Sequence, residues 1–121
     1  METVTETLEN ILNDLGFGGD IEASVLISRD GLLMASGKTN GFNPEVFAAF
    51  SASIQNVAES SSSKLNRGVV NRTIVETKEN KIITEGVDSN SLLVVVAKNR
   101  AKLGLILFRL SKAASKIKEA L

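Results

Sequence analysis

The residues of this chain with the most recognisable chemical pattern are Gly37-Lys38-Thr39, in the stretch RDGLLMASGKTNG. This tripeptide ends the phosphate-binding loop G-x-x-x-x-G-K-[ST], in which successive backbone N–H groups converge on phosphate oxygens. The first glycine of that loop would stand at position 32, which is leucine here, and Gly31 comes one residue too early. The loop must also lead directly into a helix, but the next helix start signal is at Pro44. We therefore predict that this stretch is a hairpin followed by a loop, and not a nucleotide-binding site.

Other routes to catalysis have equally little support from the residue types. With no cysteine and no histidine, the chain cannot supply a Cys/His zinc site, a cysteine nucleophile or a histidine-based triad. Ser60–Ser63 would need a lysine as base, and the adjacent Lys64 does not face them, because helix neighbours one residue apart point in different directions. Five carboxylates considered for acid–base work fall in predicted turns or on a hairpin predicted to be exposed: Asp30, Asp88, Glu76, Glu79 and Glu85. We predict no catalytic residue, no cofactor and no metal, and hence a protein that is not an enzyme.

Charge is balanced overall but segregated along the chain. Six acids precede the first base, Arg29, whereas seven bases and one acid follow from Lys98 onward. The simpler interpretation is that the acidic and basic ends pack together. The alternative is attraction to nucleic acid or to an anionic membrane surface through Arg109, Lys112 and Lys116. Nucleic acid is disfavoured because there is no Tyr or Trp for stacking, and most phenylalanines fall in predicted core stripes.

The N-terminal sequence METVTETLEN lacks the basic and apolar segments of a signal peptide, and no apolar run is long enough to cross a bilayer. We therefore expect a single cytoplasmic domain, residues 1–121, with no membrane insertion and no nucleic-acid partner.

Hydrophobic periodicity and turn residues divide the chain into eight elements. Asp30-Gly31 is a strong hairpin dipeptide, and Asn43 followed by Pro44 marks a helix start. Residues 92–97 are apolar at every position, which predicts a central strand covered on both faces. The predicted elements are helix 4–15, strands 21–29 and 32–37, helix 44–65, strands 69–77, 81–87 and 91–98, and a helix beginning near Gly104. This α-β-β-α-β-β-β-α order predicts an α/β (α+β) fold: a single five-stranded, mostly antiparallel sheet with helices on both faces.

Two of these elements have compositions suited to contact with another chain. Strand 69–77 is half polar, as edge strands often are. On a helical wheel, helix 44–65 divides into a large apolar arc, predicted to face the core, and an arc of mostly small side chains, predicted to be exposed and to accept another helix at close range. The apolar arc comprises Val46, Phe47, Phe50, Ile54, Val57, Ala58 and Leu65. The small arc comprises Ala48, Ala49, Ala52, Gln55, Asn56, Glu59 and Ser63. The alternative for the small arc is a plain exposed face rich in helix-favouring alanine.

Taken in order, the segments SVLISRDGLLMASG, NPEVFAAFSASI and TIVETKENKIITEGVDSNSLLVVVAK…LGLILFRL resemble the roadblock family. This family includes dynein light chains of the roadblock type and MglB-like proteins of bacteria and archaea. The resemblance covers about residues 4–118 and rests on the succession of segments. It implies a sheet with one long helix on one face and two helices on the other, and a homodimer or a heterodimer with another roadblock chain. It also implies a Ras-like small GTPase as partner; because no residue marks a catalytic role, we carry over binding and not an activity.

The resemblance also implies where the dimer forms, since in this family the third strands pair across the dimer axis and the second helices lie side by side. Pairing two edge strands satisfies backbone groups that would otherwise stay open, and an obligate interface buries more than about 2,000 Å² in total. On the helix, the resemblance points to the small arc. On the strand, the expected interface residues are Val69, Asn71, Arg72, Thr73, Ile74, Val75 and Thr77.

A small-molecule-sensing regulatory module is the main alternative function, because the architecture also resembles profilin-like and PAS-like ligand-binding domains. Such a module needs an internal pocket with a few polar groups. The apolar stripes contain no evident polar lining of this kind.

Overall fold

A computed structural model describes all of residues 1–121. The elements are α1 (Val4–Leu15), β1 (Ile21–Ser28), β2 (Leu33–Ser36), α2 (Pro44–Lys64), β3 (Arg72–Glu76), β4 (Asn80–Gly86), β5 (Ser91–Lys98) and α3 (Leu103–Ala120). The predicted number, order and type of elements are confirmed. The largest difference in bounds is at β3, which begins at Arg72 and not at residue 69.

Side-chain caps set the starts of the first two helices. The hydroxyl of Thr3 accepts a hydrogen bond from the backbone N–H of Glu6, and the side-chain oxygen of Asn43 accepts one from the N–H of Val46, both at 3.1 Å. Each cap satisfies one of the amide groups that the first helical turn leaves without a partner. Pro44 follows Asn43 at the first helical position, where its missing N–H costs nothing.

The five strands form one sheet in the order β2-β1-β5-β4-β3, and every neighbouring pair is antiparallel. β5 lies in the centre and is buried from Ser91 to Ala97, as its continuous apolar run predicts. The β1–β2 hairpin closes through the N–H of Ser28, which donates to the carbonyl of Leu32 at 2.8 Å. The connecting loop therefore has three residues, and only its last, Gly31, has a positive φ, of 92°. This is the three-residue hairpin, in which one glycine in the left-handed region suffices.

Helices cover both faces of the sheet. α1 and α3 pack side by side on one face, over residues such as Leu26, Ile83 and Leu93. α2 alone packs on the other face, over Val25 and Val94 among others. The predicted arrangement of one long helix opposite two is confirmed, and the acidic N-terminal helix lies next to the basic C-terminal helix.

The structure corrects the predicted orientation of α2. Residues of the predicted small arc face the sheet: Ala48, Ala52 and Gln55 are 0%, 3% and 0% exposed. The physical reason is proximity, because a Cβ placed on Gly31 would lie 3.3 Å from the Cα of Ala49. A helix this close to the hairpin leaves no room for larger side chains between them. Four large apolar side chains of α2 therefore point away from the protein: Val46 is 51% exposed, Phe50 68%, Ile54 39% and Val57 67%. Phe47, from the same predicted arc, is instead partly buried against the apolar layer.

The prediction that most phenylalanines lie in the core is also wrong. Phe17 is 86% exposed and Phe108 52% exposed. Phe47 is partly buried and stacks on Phe42, with ring centroids 6.0 Å apart. Aliphatic side chains and alanines build both apolar layers, and the aromatic rings lie around them.

Candidate functional site

The free edge of the sheet is β3, as its half-polar composition predicts. β3 pairs with β4 on one side only. The N–H of Thr77 donates to the carbonyl of Asn80 at 2.8 Å, and the N–H of Gly86 donates to the carbonyl of Asn71 at 3.1 Å. Because antiparallel residues alternate between bonding inward and outward, Thr73 also bonds to β4. The N–H and C=O groups of Arg72, Ile74 and Glu76 then lie on the open edge.

A buried carboxylate holds the first residue of β3 in place. Glu85 on β4, predicted to be exposed, is only 6% exposed. It accepts hydrogen bonds from Arg72 Nε at 3.0 Å, from Arg72 Nη2 at 2.8 Å and from the Ser111 hydroxyl on α3 at 3.2 Å. The free-energy cost of burying a charge is reduced when the charge is paired and hydrogen-bonded in this way. The start of the open edge is therefore linked to β4 and, through Ser111, to α3.

The outward side of α2 presents the second part of the site. Val46, Phe50, Ile54 and Val57 recur at helical spacing and are all exposed. We call these four residues the outer stripe. Large apolar side chains that line up on a surface mark a contact site more often than single exposed ones do. α2 also packs against β3, so the outer stripe and the open edge belong to the same side of the domain.

Most residues of the predicted small arc are engaged within the domain. Ala48 and Ala52 are buried. Glu59 Oε1 accepts a hydrogen bond from Arg29 Nη1 at 2.5 Å, and Asn56 Nδ2 donates to the carbonyl of Arg29 at 3.4 Å. Only Ala49 and Ser63 of this arc are exposed without such a bond. The small arc therefore packs on its own sheet and is not the exposed helix-contact face that we predicted. Of the strand residues, Val69, Asn71 and Thr77 lie outside β3.

Arg29, in the β1–β2 turn, forms hydrogen bonds both to α2 and to the β4–β5 turn, a role that the sequence did not indicate. Its Nε and Nη2 donate to the carbonyl of Asp88 at 3.3 and 3.1 Å, while its Nη1 meets Glu59. Gln55 Nε2 adds a hydrogen bond to the same Glu59 oxygen at 3.2 Å, and Gln55 Oε1 is buried without a partner. The arginine and the glutamate are 30 residues apart, and no local pattern predicts such a pair.

The largest groove lies beside this cluster and is open and polar. Its volume is about 610 Å³, and two of its eight lining residues are hydrophobic. The lining comprises Arg29, Glu59, Ser63, Asn66, Gly68, Val69, Val70 and Ser89. Sites for small molecules are typically enclosed and mostly apolar, so this groove does not favour the ligand-sensing alternative.

The Gly37-Lys38-Thr39 segment has a packing role. A Cβ on Gly37 would lie 2.5 Å from Ser24 Oγ and 2.9 Å from Leu12 Cβ, so no larger residue fits there. Lys38 is exposed in the loop that follows β2, and α2 begins only at Pro44. The segment therefore lacks the helix N-terminus on which a phosphate loop depends.

Ionisable groups form no cluster suited to metal binding. No group of three or more His, Cys, Asp or Glu side chains is placed to hold an ion. The hydroxyl of Ser91 donates to the carboxylate of Asp88 at 2.7 Å and the N–H of Asn90 donates to it at 2.8 Å, and these bonds lower the pKa of Asp88. Asn90 lies in the β4–β5 turn and Ser91 is the first residue of β5, so this carboxylate stabilises the turn.

None of the three helices combines the length and apolar character that crossing a membrane requires.

These features define an α+β domain that presents an open strand edge next to an apolar helix face. The family model for the roadblock/LC7 domain matches residues 7–97. The chain therefore belongs to the roadblock/LC7 family, as the resemblance of its segments predicted.

Similar proteins extend the match over nearly the whole chain. An uncharacterised protein of Methanocaldococcus jannaschii is 28% identical over 112 residues, which are 92% of this chain and 96% of that protein. The solved structure of MglB from Myxococcus xanthus has a TM-score of 0.85 at 20% identity and covers 93% of this chain and 92% of its own. A roadblock/LC7 domain from Streptomyces avermitilis has a TM-score of 0.86 at 17% identity, with 92% and 94% covered. At 20% and 17% sequence identity, the similarity to these two solved structures establishes the fold of this chain only.

Proposed function

We propose that this protein is a dimeric adaptor or regulator that binds a Ras-like small GTPase in the cytoplasm and contributes no catalytic group of its own. The observation that carries this proposal is the outer stripe of α2 beside the open edge of β3. Membership of the roadblock family supports it, because many roadblock proteins bind such GTPases. The chain pairs with a second copy or with another roadblock chain.

The dimer in this proposal differs from the predicted one in the face of α2 that it uses. β3 pairs with β3 of the mate through the outward groups of Arg72, Ile74 and Glu76, giving one continuous sheet. The outer stripes of the two α2 helices then lie side by side and cover each other. The dimer removes both the unpaired edge and the exposed apolar stripe, which is the physical reason for it to form.

Isothermal titration calorimetry with purified small GTPases tests the partner. Each GTPase is loaded with GDP or with a non-hydrolysable GTP analogue, and we expect binding to at least one of them in a nucleotide-dependent manner. Phe50→Ser should weaken that binding indirectly, because it removes a contact between the two outer stripes and the dimer is the form that we propose binds the GTPase. Val4→Ser is the matched control, because Val4 is 57% exposed on the other side of the sheet. If no GTPase distinguished the two nucleotides, the proposed function would be wrong.

A further inference from the structure

The surface formed by α1 and α3 carries opposite charges on its two halves. The exposed side chains of α1 are mostly acidic or amide. On α3 the exposed charged side chains are Lys112, Lys116, Lys118 and a single acid, Glu119. Two exposed phenyl rings, Phe17 and Phe108, lie at the end of this surface where α1 ends and α3 begins. We call this surface the α1–α3 face. Its residues used below are Glu6, Asp14, Phe17, Phe108, Lys112 and Lys116.

The charges of this face are not paired within the chain. The four ion pairs of the domain join Arg29 to Glu59, Arg72 to Glu85, Lys81 to Glu76 and Arg100 to Asp20. None of them joins α1 to α3. The acids of α1 and the lysines of α3 therefore lie side by side without a salt bridge between the two helices. Lys112 Nζ lies 5.5 Å from the centroid of the Phe108 ring, so this lysine and this ring are presented together.

Contacts along the seam fix how the two helices are aligned. Arg109 Nη2 donates to the carbonyl of Leu15 at 2.6 Å, whereas Lys116 shares a cleft of about 190 Å³ with Ile11. α1 and α3 are therefore antiparallel, with Lys112 near the level of Asp14, which lines the same cleft. Lys116 lies one turn further on, toward Glu6. Phe108 lies near the level of Phe17, whose carbonyl accepts from Arg109 Nη2 at 3.4 Å.

A flat anionic surface does not fit this face. Both helices lie on the same side of the sheet, so a membrane or a nucleic-acid backbone that approached Lys112 would also approach the acids of α1. Like charges at that distance repel and offset the attraction. The fitting partner has the reverse pattern, with acids opposite α3 and bases opposite α1.

We propose that the α1–α3 face docks on the same face of a second copy of this chain. A twofold axis along the seam places α1 of one copy over α3 of the other and preserves each residue's level along the seam. Phe17 of the second copy then lies over Phe108, and Asp14 lies over Lys112. Apolar groups meet apolar groups and acids meet bases, and the symmetry makes each contact twice.

The size of the face sets the strength of this association. At 1.5 Å per residue, α1 and α3 are about 18 and 27 Å long, and two helices side by side are about 20 Å wide. The footprint of roughly 400–500 Å² per copy is below the 800 Å² or so of a standard interface. We therefore expect a weak association that depends on concentration and decreases with salt. It is separate from the β3–α2 dimer and does not depend on the GTPase proposal.

Two charge reversals in the full chain test the proposal by sedimentation velocity at low and high salt. We expect Lys112→Glu and Asp14→Lys each to weaken the salt-sensitive association step by roughly tenfold, because a twofold contact loses two ion pairs and gains two like-charge pairs. An equimolar mixture of the two variants should recover association, because one contact then places Glu against Lys and the other is native. Lys78→Glu, in the exposed β3–β4 turn, is the charge-matched control and should behave as the unaltered chain.

The same variants identify the rival explanations. If the α1–α3 face bound an anionic membrane, Asp14→Lys would strengthen binding to phosphatidylserine vesicles and would not weaken self-association. That result, or a mixture that associates no better than its components, would overturn the proposal. The absence of any salt-sensitive association step in the unaltered chain would overturn it as well. Circular dichroism of each variant shows whether the fold is retained.

Discussion

The exposed ring of Phe50 gives the sharpest prediction for the outer stripe. Phe50→Ser removes an apolar side chain that is 68% exposed and makes little contact with its own domain. A phenylalanine offers about 150–250 Å² for burial, so roughly 100–170 Å² remains for a mate. At about 25 cal/mol per Å² this area corresponds to about 2.5–4 kcal/mol in each copy.

A symmetric dimer contains this residue twice, so complete coverage would contribute about 5–8 kcal/mol to association. If the mate covers only half of the available area, about 3 kcal/mol is lost, and the dimer Kd rises at least about 100-fold. The stability of the single domain should change little, because the ring is outside both apolar layers.

Sedimentation equilibrium over a dilution series measures this Kd, and Val4→Ser serves as the control for an exposed apolar residue on the opposite side of the sheet. We expect Phe50→Ser to be monomeric at concentrations where the control is dimeric. A Kd for Phe50→Ser within about threefold of the unaltered chain would show that the stripe is not at the interface. So would a stable monomer of the unaltered chain at micromolar concentration.

Four further substitutions test other parts of the structure. Ile74→Pro should prevent dimer formation, seen by light scattering, while the domain still unfolds cooperatively, because the N–H it removes lies on the open edge. Thr73→Pro instead removes a bond to β4 and should lower the urea midpoint of the domain itself; equal effects of the two prolines would contradict the assigned alternation. Ala52→Arg should cost at least about 3 kcal/mol in urea unfolding, because it forces a charged side chain into a site that is 3% exposed; unchanged stability would contradict the orientation of α2. Asp88→Asn should be less stable than the unaltered chain at neutral pH, and the difference in urea midpoint should shrink as the pH falls below about 4. The pKa of Asp88 is lowered by folding, so its contribution is complete above the unfolded-state pKa and is lost as pH falls through the folded-state value; a difference that stayed constant down to the lowest pH would contradict this.

The elements and the sheet could be predicted from the sequence because their signals are local. Thr3, Asn43 and Pro44 mark helix starts, and the unbroken apolar run of β5 requires cover on both faces. The half-polar composition of β3 identified the edge strand for the same reason. Each of these inferences depends on residues that are neighbours in the chain.

The orientation of α2 could not be predicted, because it depends on a distance between elements. Periodicity shows that α2 has a large apolar arc, but it does not distinguish the core of the domain from the core of a complex. The close approach of Ala49 to Gly31 decides which arc faces inward, and these residues are far apart in sequence. The Arg29–Glu59 pair and the burial of Glu85 were missed for the same reason, since their partners come from different elements.

The division of α2 into a small inner arc and a large outer stripe assigns two roles to different residues: the inner arc packs on the sheet, and the outer stripe forms the exposed surface. Substitutions at Ala48 or Ala52 are restricted because any increase in volume pushes the helix off the sheet. Substitutions at Phe50 or Val57 change exposed side chains outside both apolar layers, and in the proposed dimer they change only the surface that faces the mate. If the proposed dimer forms, chains that share this architecture can therefore select different partners by varying a few outward side chains.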